Sequence, residues 1–263
     1  QLTIKRGKIM ALDLDAIRKR LSGLQNQTGK QNNLWKPEPG KQTIRIVPYQ
    51  FNKDNPFIEL FFHYGLNGKT FLSPVTHGDA DPVVEFAEKL KATGNRDDWQ
   101  MSRKLEPKMR TYVPVIVRGQ ESEGVKLWGF GKTVYQELLS FIADPDYGDI
   151  TDLNSGRDVT VEFMTAAELG KQYPQTTIRI KPNQTPATDN KDVAEKIMNG
   201  QKDANDIFKK VSYDELKEQL AIWLNPEEGE TEVTTENATA TPTSTNTKKV
   251  DDVNTAFDEL FNN

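Results

Sequence analysis

Cations and aromatic rings are interleaved along Trp99–Lys132 (WQMSRKLEPKMRTYVPVIVRGQESEGVKLWGFGK). The stretch holds seven Lys or Arg (Arg103, Lys104, Lys108, Arg110, Arg118, Lys126, Lys132) against three Glu (Glu106, Glu121, Glu123), a local excess of +4 in a chain of net charge −5. Trp99, Tyr112, Trp128 and Phe130 lie among them. Ammonium and guanidinium groups follow phosphates, and flat rings stack on splayed bases whatever their sequence. The candidates for such contact are Trp99, Arg103, Lys104, Lys108, Arg110, Tyr112, Lys126, Trp128, Phe130 and Lys132. The same composition also describes a half-buried antiparallel sheet with solvated Lys and Arg and core rings.

Covalent chemistry finds no foothold. The chain has no cysteine and two histidines, His63 and His77, neither in a hydrolase-type motif. Gly129-Phe130-Gly131-Lys132-Thr133 lacks the spaced glycine of a phosphate-binding loop. The acid pairs Asp79/Asp81 and Asp144/Asp146 could bind a divalent ion, but loop acids usually only cap helices or stay solvated. The expectation is a binding protein, not an enzyme.

Several elements must position these residues. Thr43/Arg45 alternate with Ile44/Ile46 in Lys41–Pro48, and Phe57–Tyr64 is strongly apolar; both read as strands. Leu66-Asn67-Gly68-Lys69 turns the second into Thr70–Leu72. Asp81-Pro82 opens a helix with Val83, Phe86, Ala87 and Leu90 on one side. Residues 92–110 are polar and basic. Tyr112–Arg118 and Val125–Phe130 read as a hairpin, and Thr133 begins a helix with Val134, Leu138, Phe141 and Ile142 inward. Arg157–Met164 and Thr176–Lys181 alternate as strands. Asp192–Asn199 and Ser212–Leu224 are helical, the latter opened by Ser212-x-x-Glu215. At least six short strands with inserted helices predict a mainly β (α+β) fold around a partly open, five-stranded OB-type barrel.

Charge divides the chain. Residues 1–225 carry 32 basic and 30 acidic residues (+2), and residues 226–263 carry 2 and 9 (−7). We expect three parts: a basic arm and helix over 1–30, a binding core over 31–225, and an acidic tail over 226–263. The arm carries Lys5, Arg6 and Lys8, followed by a helix with Leu14, Ile17, Leu21 and Leu24 inward, which must dock on the body or on another copy. Residues 226–247 have linker composition. Val250–Asn263 then regains Val253, Phe257, Leu260 and Phe261 among Asp251, Asp252, Asp258 and Glu259. Negative charge with rings suits either a nucleic-acid mimic lying in the basic groove or a docking peptide for other proteins. No apolar run approaches the roughly 20 residues of a membrane span, and no signal-peptide core opens the chain. A soluble, cytoplasmic protein is expected.

This layout of basic arm, β-rich core and acidic tail resembles the single-stranded DNA-binding proteins of T-even-like bacteriophages. The resemblance rests on Thr76-His77-Gly78-Asp79, similar to the family's THGD element, on Phe130-Gly131-Lys132, similar to its FGK element before a helix, and on His63 near the end of a core strand. It implies a role in DNA replication, recombination and repair inside the infected host. It implies that Trp128 stacks on DNA, that Lys108, Arg110 and Tyr112 belong to the groove, and that Lys132 contacts phosphate. Lys5, Arg6 and Lys8 fall where the family binds the next copy along the strand; here Gly7 interrupts the run and no Ser/Thr pair follows. The acidic tail would recruit replication and recombination proteins. The family's zinc, held by one histidine and three cysteines, is not expected: His63 matches the histidine and His77 is near, but Ser73 and Val84 stand at two cysteine positions. Packing of Pro74, Val75, Val83, Val84 and Phe86 is expected in its place. An RNA-binding OB module and a protein-interaction scaffold remain as alternatives.

Overall fold

The computed structural model describes residues 33–225 and, at the C-terminal end, residues 256, 257, 260 and 261. Lys5, Arg6 and Lys8, the helix expected after them, the segment 226–247, and Asp251, Asp252, Asp258 and Glu259 lie outside the described residues.

Eight strands are present among the described residues: β1 Leu34–Trp35, β2 Gly40–Ile46, β3 Ile58–Leu66, β4 Lys69–Leu72, β5 Lys108–Val117, β6 Lys126–Phe130, β7 Arg157–Met164 and β8 Gln175–Gln184. They form one sheet with the order β1-β6-β5-β2-β7-β8, from which β3 and β4 branch at β5. All pairings are antiparallel except β1 with β6.

β5 is the strand at which the sheet divides. Its first half pairs with β3, from Phe62↔Lys108 to Ile58↔Tyr112, and its last three residues pair with β2. Pro114 sits where the partner changes, a place where the ladder is already interrupted and a missing N–H does least harm. Its carbonyl accepts the Val47 N–H at 3.0 Å. Asn67 and Gly68, with φ of 54° and 70°, make the tight turn between β3 and β4 that their sequence called for.

Helices fill the connections: α1 Pro82–Ala92, α2 Arg96–Leu105, α3 Lys132–Ala143, α4 Ala166–Leu169, α5 Lys191–Asn199, α6 Ala204–Ile207 and α7 Tyr213–Leu224. α1 starts as read, with the Asp81 carboxylate accepting the N–H groups of Val83 and Val84. α7 starts with the Ser212 hydroxyl accepting the Glu215 N–H.

The main core lies between one sheet face and α3. It contains Ile44, Ile46, Val113, Val115, Trp128, Val159, Val161, Ile178 and Ile180 with Val134, Tyr135 and Leu138. A second core holds Val83, Phe86 and Leu90 of α1 against Leu216 and Leu220 of α7. Arg45, fully buried, ties β2 to β7 through Asp158 at 3.0 Å and to the Thr185 carbonyl at 2.8 Å.

Among the described residues the fold is mixed α/β around an open sheet whose pairing order ends at β1 and β8. Within 92–110, which the sequence marked only as polar and basic, α2 occupies Arg96–Leu105, capped by Asn95.

Candidate nucleic-acid interface

Strand periodicity brings three of the sequence candidates together. Lys108, Arg110 and Tyr112 lie at i, i+2 and i+4 of β5 and therefore share one face. Their Cα partners on β3 are Phe62, Leu60 and Ile58. On the other side Tyr112 faces Gly129 of β6. A Cβ at Gly129 would clash with the Tyr112 ring, so this glycine is what lets the ring lie over β6. Arg110 is fixed beside it, Nη2 donating to the Gly129 carbonyl at 2.8 Å.

Rings accumulate on the same face. The Tyr112 ring centroid lies 4.7 Å from Phe208 and 6.2 Å from Phe62, and Phe62 lies 6.0 Å from Tyr64. Tyr64 is 47% exposed. Burial, with the neighbouring Tyr64, pushes the Tyr112 hydroxyl up to about 12. It remains a neutral donor through the physiological range.

Next to this face opens a cavity of about 320 Å³, lined by His63, Tyr64, Gly65, Leu66, Val83, Lys104, Leu105, Lys108 and Trp223. Lys104 comes from α2 and Lys108 from β5, so the helix absent from the sequence reading supplies one of the two cations. Trp99 and Arg103 stand elsewhere on α2. Trp99 is 50% exposed, and the Arg103 guanidinium lies 5.4 Å from its ring centroid and 3.8 Å from Glu106. Lys132 is exposed at the first position of α3.

Other candidates fall away from the face. Trp128 is 1% exposed, packed edge-on against Trp35 at 5.7 Å and against Phe130 at 4.6 Å. The register explains it: Trp128 is opposite Val113 and Phe130 opposite Thr111, the parity that points into the core, whereas Gly129 is opposite Tyr112. The expectation that Trp128 and Phe130 stack on bases is thereby corrected. Lys126 is paired with Glu123, and Arg118 is held by Asp158 at 2.9 Å. Tyr64, Phe208 and Trp223 were missed. Tyr64 continues the two-residue spacing of Leu60 and Phe62 and was legible; Phe208 lies in an irregular segment with no pattern to mark it.

The region where the resemblance places zinc is built differently. His63 Nε2 lies 2.9 Å from Asp81 Oδ2, and its Nδ1 lies 2.8 Å from the Leu105 carbonyl. Ser73 donates its hydroxyl to the same Asp81 oxygen. All three side chains are buried. Burial pushes the Asp81 carboxyl up, but the hydrogen bonds and charge of His63 and the Ser73 bond outweigh it and hold it below the usual carboxylate range. A carbonyl can only accept, so Nδ1 donates to it, and Nε2 donates to the carboxylate. With both ring nitrogens engaged and no thiolate near, the donor set does not fit zinc. Among the described residues no three His, Cys, Asp or Glu gather as metal ligands. His77 is exposed in a separate 3-10 turn. Of the apolar residues expected in place of zinc, Pro74, Val83 and Phe86 are buried, but Val75 is exposed. Ser, His and Asp also make hydrolytic triads, but here the serine bonds to the aspartate and not the histidine, which rules out that use.

The described end of the tail packs on α1 and α7. Phe257 is 9% exposed and lies 6.0 Å from Phe86. Phe261 lies 6.4 Å from Tyr213, with Lys217 Nζ 5.0 Å from its ring centroid. Leu260 joins the same cluster.

Lys108, Arg110 and Tyr112, with half-exposed Tyr64, bring cations and rings onto one sheet face. Residues 38–222, 185 of the 263, match the family described as gp32 DNA binding protein like, and the chain belongs to that family. The family carries single-stranded DNA binding, and it is one of binding proteins and not of enzymes. No curated protein matches the chain. Among the described residues no helix is long and apolar enough to cross a membrane.

Proposed function

We propose that the chain binds single-stranded DNA without sequence preference along the β3–β5 face. Lys104, Lys108 and Arg110 attract phosphates with release of counterions, and Tyr64, Tyr112 and Phe208 receive bases. Trp99 with Arg103 extends the surface along α2, and Lys132 offers a further phosphate contact. The observation that carries this reading is the shared face of Lys108, Arg110 and Tyr112 beside exposed Tyr64. Protection and organisation of single strands in phage replication, recombination and repair is the role this supports. Lys5, Arg6 and Lys8 would link neighbouring copies along the strand, and the acidic tail would recruit replication and recombination proteins.

Titration with poly(dT) at low and high salt tests the reading. With Trp128 and Trp35 buried, any tryptophan quenching arises at half-exposed Trp99 and at Trp223 in the cavity. Quenching that reverses with salt is expected; binding indifferent to salt, or none, would contradict it. The interaction-scaffold reading is favoured by one observation, the burial of Trp128. It predicts no quenching at any salt concentration.

A further inference from the structure

The tail's rings are occupied. Ala256–Phe257 and Leu260–Phe261 are helical, and Phe257, Leu260 and Phe261, spaced i, i+3 and i+4, join one apolar cluster. This segment meets Phe86 of α1 and Tyr213 of α7. The two helices are tied beneath it by the Tyr213 hydroxyl, which donates to Glu85 Oε2 at 2.6 Å. Lysines hold both ends of the segment: Lys89 Nζ donates to the Ala256 carbonyl at 3.2 Å, and Lys217 Nζ donates to the Phe261 carbonyl at 3.0 Å. Contacts of rings, a leucine and main-chain carbonyls together are those of an amphipathic helix seated in a groove.

We propose that the α1–α7 face is a receptor for the chain's own C-terminal motif, Phe257-x-x-Leu260-Phe261, and that docking there withholds the motif from other proteins. The side chains that would make the tail a recruiting peptide are the ones packed on α1 and α7, Phe257 buried and Leu260 and Phe261 half-buried. A partner that reads them must first displace them, and binding becomes a competition between the core and the partner for one motif. Thirty-two residues, 225–256, separate Leu224 at the end of α7 from Phe257. A tether of that length gives an effective concentration in the mM range, enough to keep a weak site filled. The inference rests on the reading of the tail as a recruiting peptide and not on strand binding, since none of these contacts involves Lys108, Arg110 or Tyr112.

The test uses the full chain and a labelled peptide of residues 250–263, followed by fluorescence anisotropy up to mM peptide. In the wild type the face is filled and the peptide is captured weakly. In Phe257→Ala/Phe261→Ala the tether no longer competes, and capture becomes at least tenfold tighter. Adding Lys217→Ala to that variant reverses most of the gain without touching the apolar floor. Equal capture by wild type and variant, or no capture by the variant at mM peptide, overturns the proposal. Poly(dT) affinity measured on the same proteins reports separately on strand binding.

Discussion

Tyr112 and Trp128 both follow a strand's two-residue period, yet one faces the surface and the other the core. Their separation rests on the register that sets Gly129 opposite Tyr112 and Val113 opposite Trp128. Trp128→Ala therefore acts on stability: removal of a buried tryptophan is expected to cost about 3–5 kcal/mol in urea unfolding, with little change in oligonucleotide affinity while the chain stays folded. Gly129→Ala acts the other way. The new methyl displaces the Tyr112 ring, at a cost of about 1–3 kcal/mol if the strands must shift, and poly(dT) affinity falls. Asp81 carries a pH dependence. Its folded carboxyl titrates below its unfolded value, so its contribution is complete above the ordinary carboxylate range and disappears as pH falls through the lower, folded value. Acid titration of stability should lose this component in Asp81→Asn. Asp81→Ala, which leaves His63 without its partner, should destabilise by about 3–5 kcal/mol at neutral pH.

The elements that were legible are those whose pattern is local. β2, β7 and β8 alternate, α1 has its Asp81-Pro82 start, and α7 has its Ser212 cap. α2 was not legible because its buried residues are only Ser102 and Leu105, too few to mark a period in RDDWQMSRKL. β1 is two residues long and exists only by pairing with β6. The sheet's opening has the same origin: alternation shows that a strand has an inner face, not which strand lies beside it. For the candidate site, Lys108, Arg110 and Tyr112 were grouped only by the resemblance, because the strand was read from Tyr112 onward; neither their shared face nor the choice between Trp128 and Tyr112 as the outward ring was read from spacing. Lys104 on α2 and Lys108 on β5 line the same cavity, separated only by Leu105, Glu106 and Pro107. On the proposed face each cation is a separate phosphate contact. Lys104→Ala, Lys108→Ala and Arg110→Ala should each lower the slope of log affinity against log salt by about 0.7.

Over the whole molecule the charge is split, +2 in residues 1–225 and −7 in residues 226–263. The tail's acids oppose approach of a polyanion at low salt, and a Debye length of about 8 Å at physiological salt removes most of that effect. Neutralising Asp251, Asp252, Asp258 and Glu259 to their amides while keeping Phe257 and Phe261 should tighten poly(dT) binding several-fold at low salt and leave it unchanged near 1 M. The same variant keeps the rings that dock on α1 and α7, so charge and docking are separable in one chain. The central claim, that a single strand lies along the β3–β5 face, is tested most directly by amide hydrogen exchange of the full chain with and without oligo(dT). Protection concentrated in residues 58–66 and 104–112, with β7 and β8 unchanged, is the predicted result; protection confined to other elements, with residues 58–66 and 104–112 unaffected, would contradict it.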